Sequence, residues 1–251
     1  MSLGIRREIP TLNLVAEHSG PAEIGGLFLD PGYRKHGAGR LLSLFRFLFM
    51  AAHRERFEPL VIAEMRGVLD NEGRSPFWDA LGQHFFGMDY PSADLLTSMD
   101  KRFIADLMPT CPIYVPMLPE PAQQVIGEVH ERTRPARKML EEEGFYYIKM
   151  VDIFEAGPIL SCEVEQIRIV RESQEAELEE VTAGETESPR HIIATTGMDF
   201  RAAAGTVEPG QSGVRIAAEV AEALRLKPGD RLIYAEARPS KAVTTAGHQK
   251  G

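Results

Sequence analysis

The sequence has few of the residues that build disulfide frameworks or metal centres. Only two of its 251 residues are cysteines, and Cys111 and Cys162 show no paired spacing. These two residues exclude a disulfide-stapled fold and a zinc site built on thiolates. None of the seven histidines forms an i, i+4 pair, so we expect no bound metal.

Long apolar runs and net positive charge are also lacking. The longest apolar stretch, at residues 41–52, is interrupted by Ser43 and Arg46 and is too short and too charged to span a bilayer. The first residues contain no apolar signal core, so we expect a cytoplasmic protein with no membrane partner. The formal net charge of -9 argues against nucleic acid as the main partner, because nucleic-acid binders carry a basic surface.

Strand-like and helix-like segments alternate through the first part of the chain. Loosely alternating runs at residues 11–16 and 23–30 and a compact apolar run at 60–65 predict strands, whereas residues 38–56 and 75–86 carry apolar residues at helical spacing. With short connections, this order predicts an α/β architecture.

The second part of the chain is more varied. Further strands are predicted at residues 145–154 and 160–170, and residues 214–235 predict strand, short helix, Pro-Gly turn and strand. Residues 172–189 are acidic and poor in aliphatics, which indicates a solvated segment. We therefore divide the chain into a core at 1–173, an acidic loop or linker at 174–212, a small β-rich module at 213–238 and a disordered tail at 239–251.

A basic, glycine-rich loop, RKHGAGR at residues 34–40, lies between a predicted strand and a predicted helix. Backbone N–H groups at a helix start bind phosphate well, and the helix dipole favours negative charge there. Gly37 and Gly39 let the main chain approach phosphate oxygens closely. Three basic side chains add countercharge: Arg34, Lys35 and Arg40. An ordinary turn capping a helix is the alternative interpretation.

Three further residues are candidates for chemistry. His130 lies in a polar break between two predicted helices, and histidine is well suited to proton transfer near neutral pH. Glu64 and Arg66 flank the end of the predicted strand at 60–65, where a carboxylate can accept a proton from an amine through water. The alternatives are a plain surface histidine and a surface ion pair.

The pattern R-x-x-G-x-G in this context resembles the acyl-CoA pyrophosphate loop of the GNAT superfamily of N-acyltransferases. In that superfamily the preceding strand, here Gly26 to Asp30, binds the pantetheine arm through its backbone. Longer blocks resemble the arginine N-succinyltransferase family: PTLNLVAEHSG (10–20), LFLDPGYRKHGAGRLLS (27–43), VIAEMRG (61–67), GRSPFWDALGQHFF (73–86), FIADLMP (103–109), VIGEVH (125–130) and EEGFYYIKMVDIFEAGP (142–158).

This resemblance implies a GNAT-like fold with a mixed central sheet and succinyl transfer from succinyl-CoA to the α-amino group of L-arginine, a step of arginine catabolism. Leu27 matches the position that contacts succinyl-CoA in the family, and His130 matches the proton donor. We expect the neighbouring residues of both CoA-binding blocks to contact the cofactor as well: Phe28, Leu29 and Ala38. Family members have further residues ahead of the position that matches Met1, so we expect the first elements of the core to be missing here.

The sequence leaves two other functions open. The first is another GNAT-like acyltransferase, for instance one that acts on ornithine. The second is a non-catalytic chain that stabilises a catalytic partner in a homo- or hetero-oligomer with a related succinyltransferase chain. A nucleotide-dependent kinase or dehydrogenase is disfavoured, because the sequence has neither GxxxxGK[ST] nor the G-x-G-x-x-G fingerprint with its acidic residue.

Overall fold

The computed structural model describes residues 6–15, 20–97, 102–184 and 190–239. Within these ranges the strands are β1 (Thr11–Leu12), β2 (Ala22–Glu23), β3 (Leu60–Glu64), β4 (Ile113–Tyr114), β5 (Tyr146–Val151), β6 (Pro158–Glu163), β7 (Gln174–Thr182), β8 (His191–Thr195), β9 (Ala202–Gly205), β10 (Glu208–Pro209), β11 (Val214–Ala217) and β12 (Arg231–Glu236). The α-helices are α1 (Ala38–Ala52), α2 (Pro76–Ala80), α3 (Gly82–Phe86), α4 (Tyr90–Thr97), α5 (Arg102–Leu107), α6 (Glu120–Val125), α7 (Arg134–Glu142), α8 (Arg168–Glu172) and α9 (Ala218–Leu224). This mixture of helices and strands confirms the predicted α/β class.

The chain forms two compact units that are interleaved along the sequence. The first unit comprises residues 1–24, 62–137 and 146–161, and the second comprises residues 25–61, 138–145 and 162–251. In the part of the chain that the structure describes, no helix is both long and apolar enough to cross a bilayer.

The first unit is built on strands in the order β2-β3-β6-β5. The N–H of Ile24 donates to the carbonyl of Ile62 at 2.9 Å and continues the pairing beyond β2. Strands β5 and β6 run antiparallel, with Tyr146 opposite Ser161. The register of β5 shifts where Lys149 adopts a positive φ of 60°, as in a β-bulge that bends a strand. The side chains of β6 are almost all buried, so this strand lies in the interior of the unit.

Helix α2 begins at a side-chain cap. The Oγ of Ser75 accepts the N–H of Trp78 at 3.0 Å and donates to the carbonyl of Phe154 at 2.8 Å. Pro76 occupies the first turn, where a backbone N–H would have no acceptor within the helix, so the lack of an N–H in proline costs no hydrogen bond. Trp78 is fully buried and stacks on Phe154 with 5.1 Å between ring centroids. These contacts anchor the helical part of the first unit to the loop that precedes β6.

The second unit contains a six-stranded mixed sheet in the order β10-β11-β7-β12-β8-β9. Strand β11 is parallel to β7, whereas β12 is antiparallel to both β7 and β8. Helix α9 follows β11 and covers one face of this sheet. The core between them is aliphatic and fully or almost fully buried: Leu178, Ile193, Ile216, Val220, Leu224 and Leu232. The predicted strand, helix, turn and strand at 214–235 are therefore confirmed.

Helix α1 belongs to the second unit and buries one apolar face. Leu44, Phe47 and Leu48 are fully buried, and the Phe47 ring lies 5.8 Å from that of Phe145. The helix ends at Ala52, and residues 54–56 continue as a 3-10 turn rather than as the α-helix predicted there. The period of the apolar residues thus correctly predicts the helix and its buried face.

A buried ion pair connects the end of α7 to α8. Glu143 is fully buried, and its Oε1 accepts from Nη2 of Arg168 at 2.6 Å. Its Oε2 accepts the N–H of Ile169 at 3.1 Å. The same guanidinium donates to the Glu172 carboxylate at 3.1 Å and to the carbonyl of Glu236 at 3.0 Å. Burial raises the pKa of Glu143, and Arg168 opposes that rise.

Two predicted strands are wrong in part. The strand predicted at 23–30 ends with β2 at Glu23, because Gly26 has a φ of 66° and turns the chain out of extended geometry. The strand predicted at 160–170 ends with β6 at Glu163, and α8 follows. An apolar run of this length does not distinguish a strand from a buried helix.

The linker predicted at 174–212 is wrong, because this segment contains β7, β8, β9 and β10. In β7 the side chain of Leu178 is buried, while Glu175 and Glu177 point to solvent. Because the segment contains many acidic residues, its composition indicated a solvated loop rather than a strand with alternating buried and exposed side chains. Their charge is accommodated at the surface, where Arg231 binds Glu175 at 2.5 Å. Of the predicted disordered tail, residues 240–251 lie outside the described residues.

The two cysteines are both free, but their environments differ. Cys111 is exposed, whereas Cys162 is 2% exposed. Burial raises the pKa of Cys162 to about 11, so this thiol stays protonated at neutral pH and is a poor nucleophile.

We therefore expect iodoacetamide to label the native protein at Cys111 alone and to label both cysteines after unfolding. Peptide mass spectrometry measures the two sites separately. Cys111→Ser is the control, and it should take up no label before unfolding. Equal labelling rates at the two native cysteines would contradict the described burial.

Candidate functional site

The predicted phosphate loop lies in the second unit and leads directly into α1. Gly37 is the N-cap of the helix, with a left-handed φ of 80° and ψ of 7°. The N–H of Ala38 donates to Lys35 and that of Arg40 donates to Gly37. Among the described residues, the N–H groups of Gly37 and Gly39 have no acceptor. Two unused donors therefore lie at the positive end of a 15-residue helix, an arrangement suited to an anion.

The two glycines of this loop differ in why they are needed. A Cβ on Gly37 would meet no atom within 4 Å, but its positive φ strains any other residue. A Cβ on Gly39 would lie 3.6 Å from Cδ2 of Leu29, an ordinary contact, and the backbone there is helical. The backbone conformation therefore requires a glycine at position 37, whereas neither the conformation nor the packing requires one at position 39.

The three basic residues of the loop are not equivalent. Nε of Arg34 donates to the carbonyl of Leu29 at 3.1 Å, which steadies an exposed guanidinium, and Lys35 is exposed. Nη2 of Arg40 instead binds the Glu142 carboxylate at 2.9 Å, and its Nη1 donates to the carbonyl of Ala237 at 3.2 Å. Arg34 and Lys35 are therefore available to an anion, whereas the Arg40 guanidinium already has protein partners.

The segment before the loop, residues 24–30, has no regular secondary structure, in place of the strand that was predicted to bind pantetheine. Leu27 is 44% exposed and Phe28 is 75% exposed, which is unusual for large apolar side chains. The Asp30 carboxylate accepts the N–H of Gly32 at 2.7 Å and caps a 3-10 turn at residues 31–33. This cap fixes the approach of the segment to the loop.

His130 lies in the first unit, at the start of a 3-10 turn formed by residues 131–133. Its Nδ1 accepts the N–H of Arg132 at 3.1 Å, and its own backbone N–H donates to the carbonyl of Arg66 at 2.9 Å. A neutral imidazole whose Nδ1 accepts a hydrogen bond carries its hydrogen on Nε2. The side chain is therefore fixed in the tautomer that presents Nε2–H as a donor.

A buried carboxylate organises the segment that bears Arg66. Oε2 of Glu155 accepts the N–H of Gly67 at 2.7 Å, and Oε1 accepts the hydroxyl of Tyr90. Oε1 also lies 3.6 Å from Nε of Arg66, whose side chain is 59% exposed. Burial, and then the adjacent carboxylate of Glu155, raise the pKa of Tyr90 well above its ordinary value. The phenol therefore remains a neutral donor to Glu155.

Close backbone contacts hold this junction together. A Cβ on Gly67 would overlap Glu155, and a Cβ on Gly157 would overlap the carbonyl of Met65. The N–H of Gly127 donates to the carbonyl of Ala156 at 2.9 Å. Residues 65–67, 127–130 and 155–157 thus pack main chain against main chain, and His130 is positioned by this packing.

The structure therefore brings His130 and Arg66 together but adds two partners that the sequence did not reveal, Tyr90 and Glu155. Glu64 is exposed at the end of β3. The residues predicted to bind CoA, from Leu27 to Arg40, lie in the second unit, whereas Glu64, Arg66 and His130 lie in the first. The only local signal for Glu155 was its place in the last of the family-like blocks, EEGFYYIKMVDIFEAGP.

Two family descriptions match the chain. Residues 1–169 match the family described as arginine N-succinyltransferase beta subunit, and residues 174–236 match its C-terminal domain. Arginine N-succinyltransferase of Escherichia coli is 44% identical over 232 residues, which cover 92% of this chain and 67% of that protein. The enzyme of Salmonella paratyphi B is 45% identical with the same coverage.

A solved structure agrees in fold. The arginine/ornithine succinyltransferase subunit AI from Pseudomonas aeruginosa is 30% identical and superposes with a TM-score of 0.81. The match covers 95% of this chain and 69% of that one. The predicted mixed α/β architecture is thereby confirmed.

Proposed function

The chain belongs to the arginine N-succinyltransferase family, and we propose that it transfers a succinyl group from succinyl-CoA to the α-amino group of L-arginine. The products are N2-succinyl-L-arginine and CoA, as expected for a step of arginine catabolism. The observation that carries the proposal is the pair of unused N–H groups, of Gly37 and Gly39, at the start of α1. These donors fit the diphosphate of a CoA thioester.

The residues around these donors fit the cofactor as well. Arg34 and Lys35 supply positive charge to the diphosphate. The absence of a side chain at Gly39, which the fold itself does not require, allows phosphate oxygens to approach the backbone. The exposed side chains of Leu27 and Phe28 offer apolar surface to the pantetheine arm. Leu29, Ala38 and Arg40 complete the proposed cofactor-binding set.

The reaction proceeds by direct attack of the arginine amine on the thioester carbonyl. The nitrogen–carbon bond forms, the carbon–sulfur bond breaks, and the amine loses a proton. His130 donates the proton to the departing CoA thiolate from Nε2 as an imidazolium and returns to the neutral ring, in which Nδ1 accepts the N–H of Arg132 and so orients Nε2. Glu64 accepts the proton of the amine, directly or through water, and the exposed guanidinium of Arg66 binds a substrate carboxylate.

We further propose that the chain works in the cytoplasm, in an oligomer of its own copies or with a related succinyltransferase chain. Two free cysteines are consistent with a reducing compartment. The Pseudomonas aeruginosa protein is described as a subunit, which supports assembly.

The direct test is to incubate the chain with succinyl-CoA and L-arginine and to identify the product by mass spectrometry. We expect succinylation on the α-nitrogen with equimolar release of CoA. The description of the Pseudomonas aeruginosa protein also names ornithine, so ornithine is the second candidate acceptor. A higher kcat/KM for ornithine would move the assignment to that substrate. Release of CoA that does not depend on either amine would overturn the proposed function.

Substitution of Gly39 by alanine separates ligand binding from folding. We expect no loss of thermal stability, because the backbone is helical there and a Cβ makes only ordinary contacts. We expect succinyl-CoA to bind about tenfold more weakly, the cost of roughly 1.4 kcal/mol for an obstructed phosphate contact. Calorimetric titration measures the affinity, and thermal unfolding measures the stability. Unchanged affinity would mean that phosphate does not approach Gly39.

A further inference from the structure

Glu155 lies in a tightly hydrogen-bonded turn of the first unit, between β5 and β6. Oδ1 of Asp152 accepts the N–H groups of Phe154 and Glu155, each at 2.8 Å, and its Oδ2 accepts the N–H of Gly157 at 2.5 Å. Three backbone groups of the turn are therefore bound to one carboxylate. This arrangement fixes the direction in which the Glu155 side chain leaves the backbone.

The Glu155 carboxylate is held more firmly than the arginine that pairs with it. The N–H of Gly67 and the hydroxyl of Tyr90 each donate to one of its oxygens, and the side chain is only 10% exposed. The side chain of Arg66 is 59% exposed and meets this fixed charge through Nε, 3.6 Å from Oε1. The carboxylate therefore orients the arginine, because the arginine is the partner that is free to move.

Contact through Nε leaves the far edge of the Arg66 guanidinium available. Within the described ranges, neither Nη1 nor Nη2 of Arg66 donates a hydrogen bond to the protein, and the ion pair is made through Nε. Two terminal nitrogens of a guanidinium bind a carboxylate with two parallel hydrogen bonds. The carbonyl of Arg66 accepts the N–H of His130 at 2.9 Å, so this edge belongs to the same junction as the proposed proton donor.

We propose that Glu155 is a positioning residue that holds Arg66 with Nη1 and Nη2 directed at a substrate carboxylate. The inference rests on the proposed function and adds to it the group that sets the direction of Arg66. Both substrates carry a carboxylate that fits this edge, the α-carboxylate of the amino acid and the distal carboxylate of the succinyl group. The binding chemistry is the same for both, and analogues that lack one carboxylate distinguish them.

Glu155→Gln tests the positioning. The amide oxygen still accepts the N–H of Gly67 and the amide N–H donates to the oxygen of Tyr90, but the charge that holds Arg66 is lost. We expect KM for the substrate whose carboxylate is bound to rise about fivefold, the upper effect of a partly exposed ion pair, with kcat unchanged. The matched control is Glu72→Gln, which breaks another arginine–glutamate pair of the same unit and should change neither constant.

Two variants of Arg66 show whether Glu155 acts through it. In Arg66→Ala, adding Glu155→Gln should raise KM no further, because the group that it positions is gone. Arg66→Lys keeps the charge at an exposed position but has a single charged nitrogen, which cannot pair with Glu155 and also fork onto a carboxylate. KM should therefore rise about fivefold in Arg66→Lys as well. An unchanged KM in Arg66→Lys, or a full further rise in the double variant, overturns the inference.

Two analogues identify the carboxylate that is bound. Agmatine lacks the α-carboxylate of arginine, and butyryl-CoA lacks the distal carboxylate of the succinyl group. If Arg66 binds the amino acid, Glu155→Gln should lower kcat/KM about fivefold for L-arginine and leave it unchanged for agmatine. If Arg66 binds the succinyl group, the same contrast should appear between succinyl-CoA and butyryl-CoA. A loss shared equally by all four compounds would assign Glu155 to folding alone and overturn the inference.

The outcomes separate this inference from the proposed function. Should the unaltered chain transfer succinyl while Glu155→Gln retains the same KM for both substrates, the positioning role is overturned and the succinyltransferase assignment is not. Should thermal unfolding show that Glu155→Gln does not fold, Arg66→Lys decides, because its altered side chain is exposed. Failure of the unaltered chain to transfer succinyl at all overturns both.

Discussion

Replacing His130 by alanine is expected to lower kcat for succinyl transfer by about 100- to 10,000-fold, the usual contribution of a positioned general acid. In the neutral ring, Nδ1 accepts the N–H of Arg132 and thereby orients Nε2, the nitrogen that donates the proton once the ring is protonated. Without that donor the CoA thiolate leaves unprotonated. Steady-state assay of CoA release measures the loss, and KM for succinyl-CoA should change little because the phosphate loop is untouched.

His130→Asn distinguishes proton donation from capping. An asparagine oxygen can accept the N–H of Arg132 and is a strong cap, so this variant should keep the stability of the unaltered chain. It has no group that donates a proton to a thiolate, so its kcat should fall as far as that of His130→Ala. Near-normal turnover in His130→Asn would show that the histidine is only a structural cap.

Replacing Arg168 by methionine is expected to lower the free energy of unfolding by about 3–5 kcal/mol, the typical cost of leaving one partner of a buried ion pair uncompensated. Glu143 would keep its position at 0% exposure without its counterion. The midpoint of thermal unfolding should fall by about 10 °C. Arg171→Met is the matched control, because Arg171 lies on the same helix with its side chain 52% exposed, and it should cost little.

The charge on Glu143 can be tested independently of packing. Burial raises the pKa of Glu143 above the ordinary 4.5 of the unfolded chain. As the pH falls, Glu143 is therefore protonated in the folded state before it is protonated in the unfolded chain. The loss of stability that the unpaired Glu143 carboxylate causes in Arg168→Met is therefore absent at pH values below 4.5. It grows as the pH rises through the pKa that Glu143 has in the folded state.

Adding Glu143→Gln, which retains an oxygen for the N–H of Ile169, should restore most of the lost stability at neutral pH. A deficit that does not change with pH, or that persists in the double variant, would contradict an electrostatic origin.

The parts of the fold that were predictable are those encoded by neighbouring residues. The period of apolar residues predicts α1, and Ser75 and Pro76 mark the start of α2. The loop at Gly37 was predictable because a helix start, two glycines and basic residues are contiguous in the sequence. Local rules of capping and periodicity were therefore sufficient for these elements.

The remaining features depend on contacts between distant segments or on a conflict between signals. Tyr90 and Glu155 meet although 65 positions separate them, so no local pattern indicates their hydrogen bond. Strand β7 was hidden because its acidic residues favour a solvated segment by composition, while Leu178 pairs it into the sheet core. Similarly, the engagement of Arg40 by Glu142 follows from tertiary packing rather than from the loop sequence.

The proposed function depends on main-chain amides at the start of α1 that bind the diphosphate of a CoA thioester. Titration of ¹⁵N-labelled protein with succinyl-CoA, followed by amide NMR, observes those groups directly. We expect large, saturable shifts for Gly37 and Gly39. We expect almost none for Gly73 and Gly87, which share the left-handed φ of Gly37 but lie outside the loop. Saturable binding that leaves the Gly37 and Gly39 amides unmoved, or an absence of binding, would contradict it.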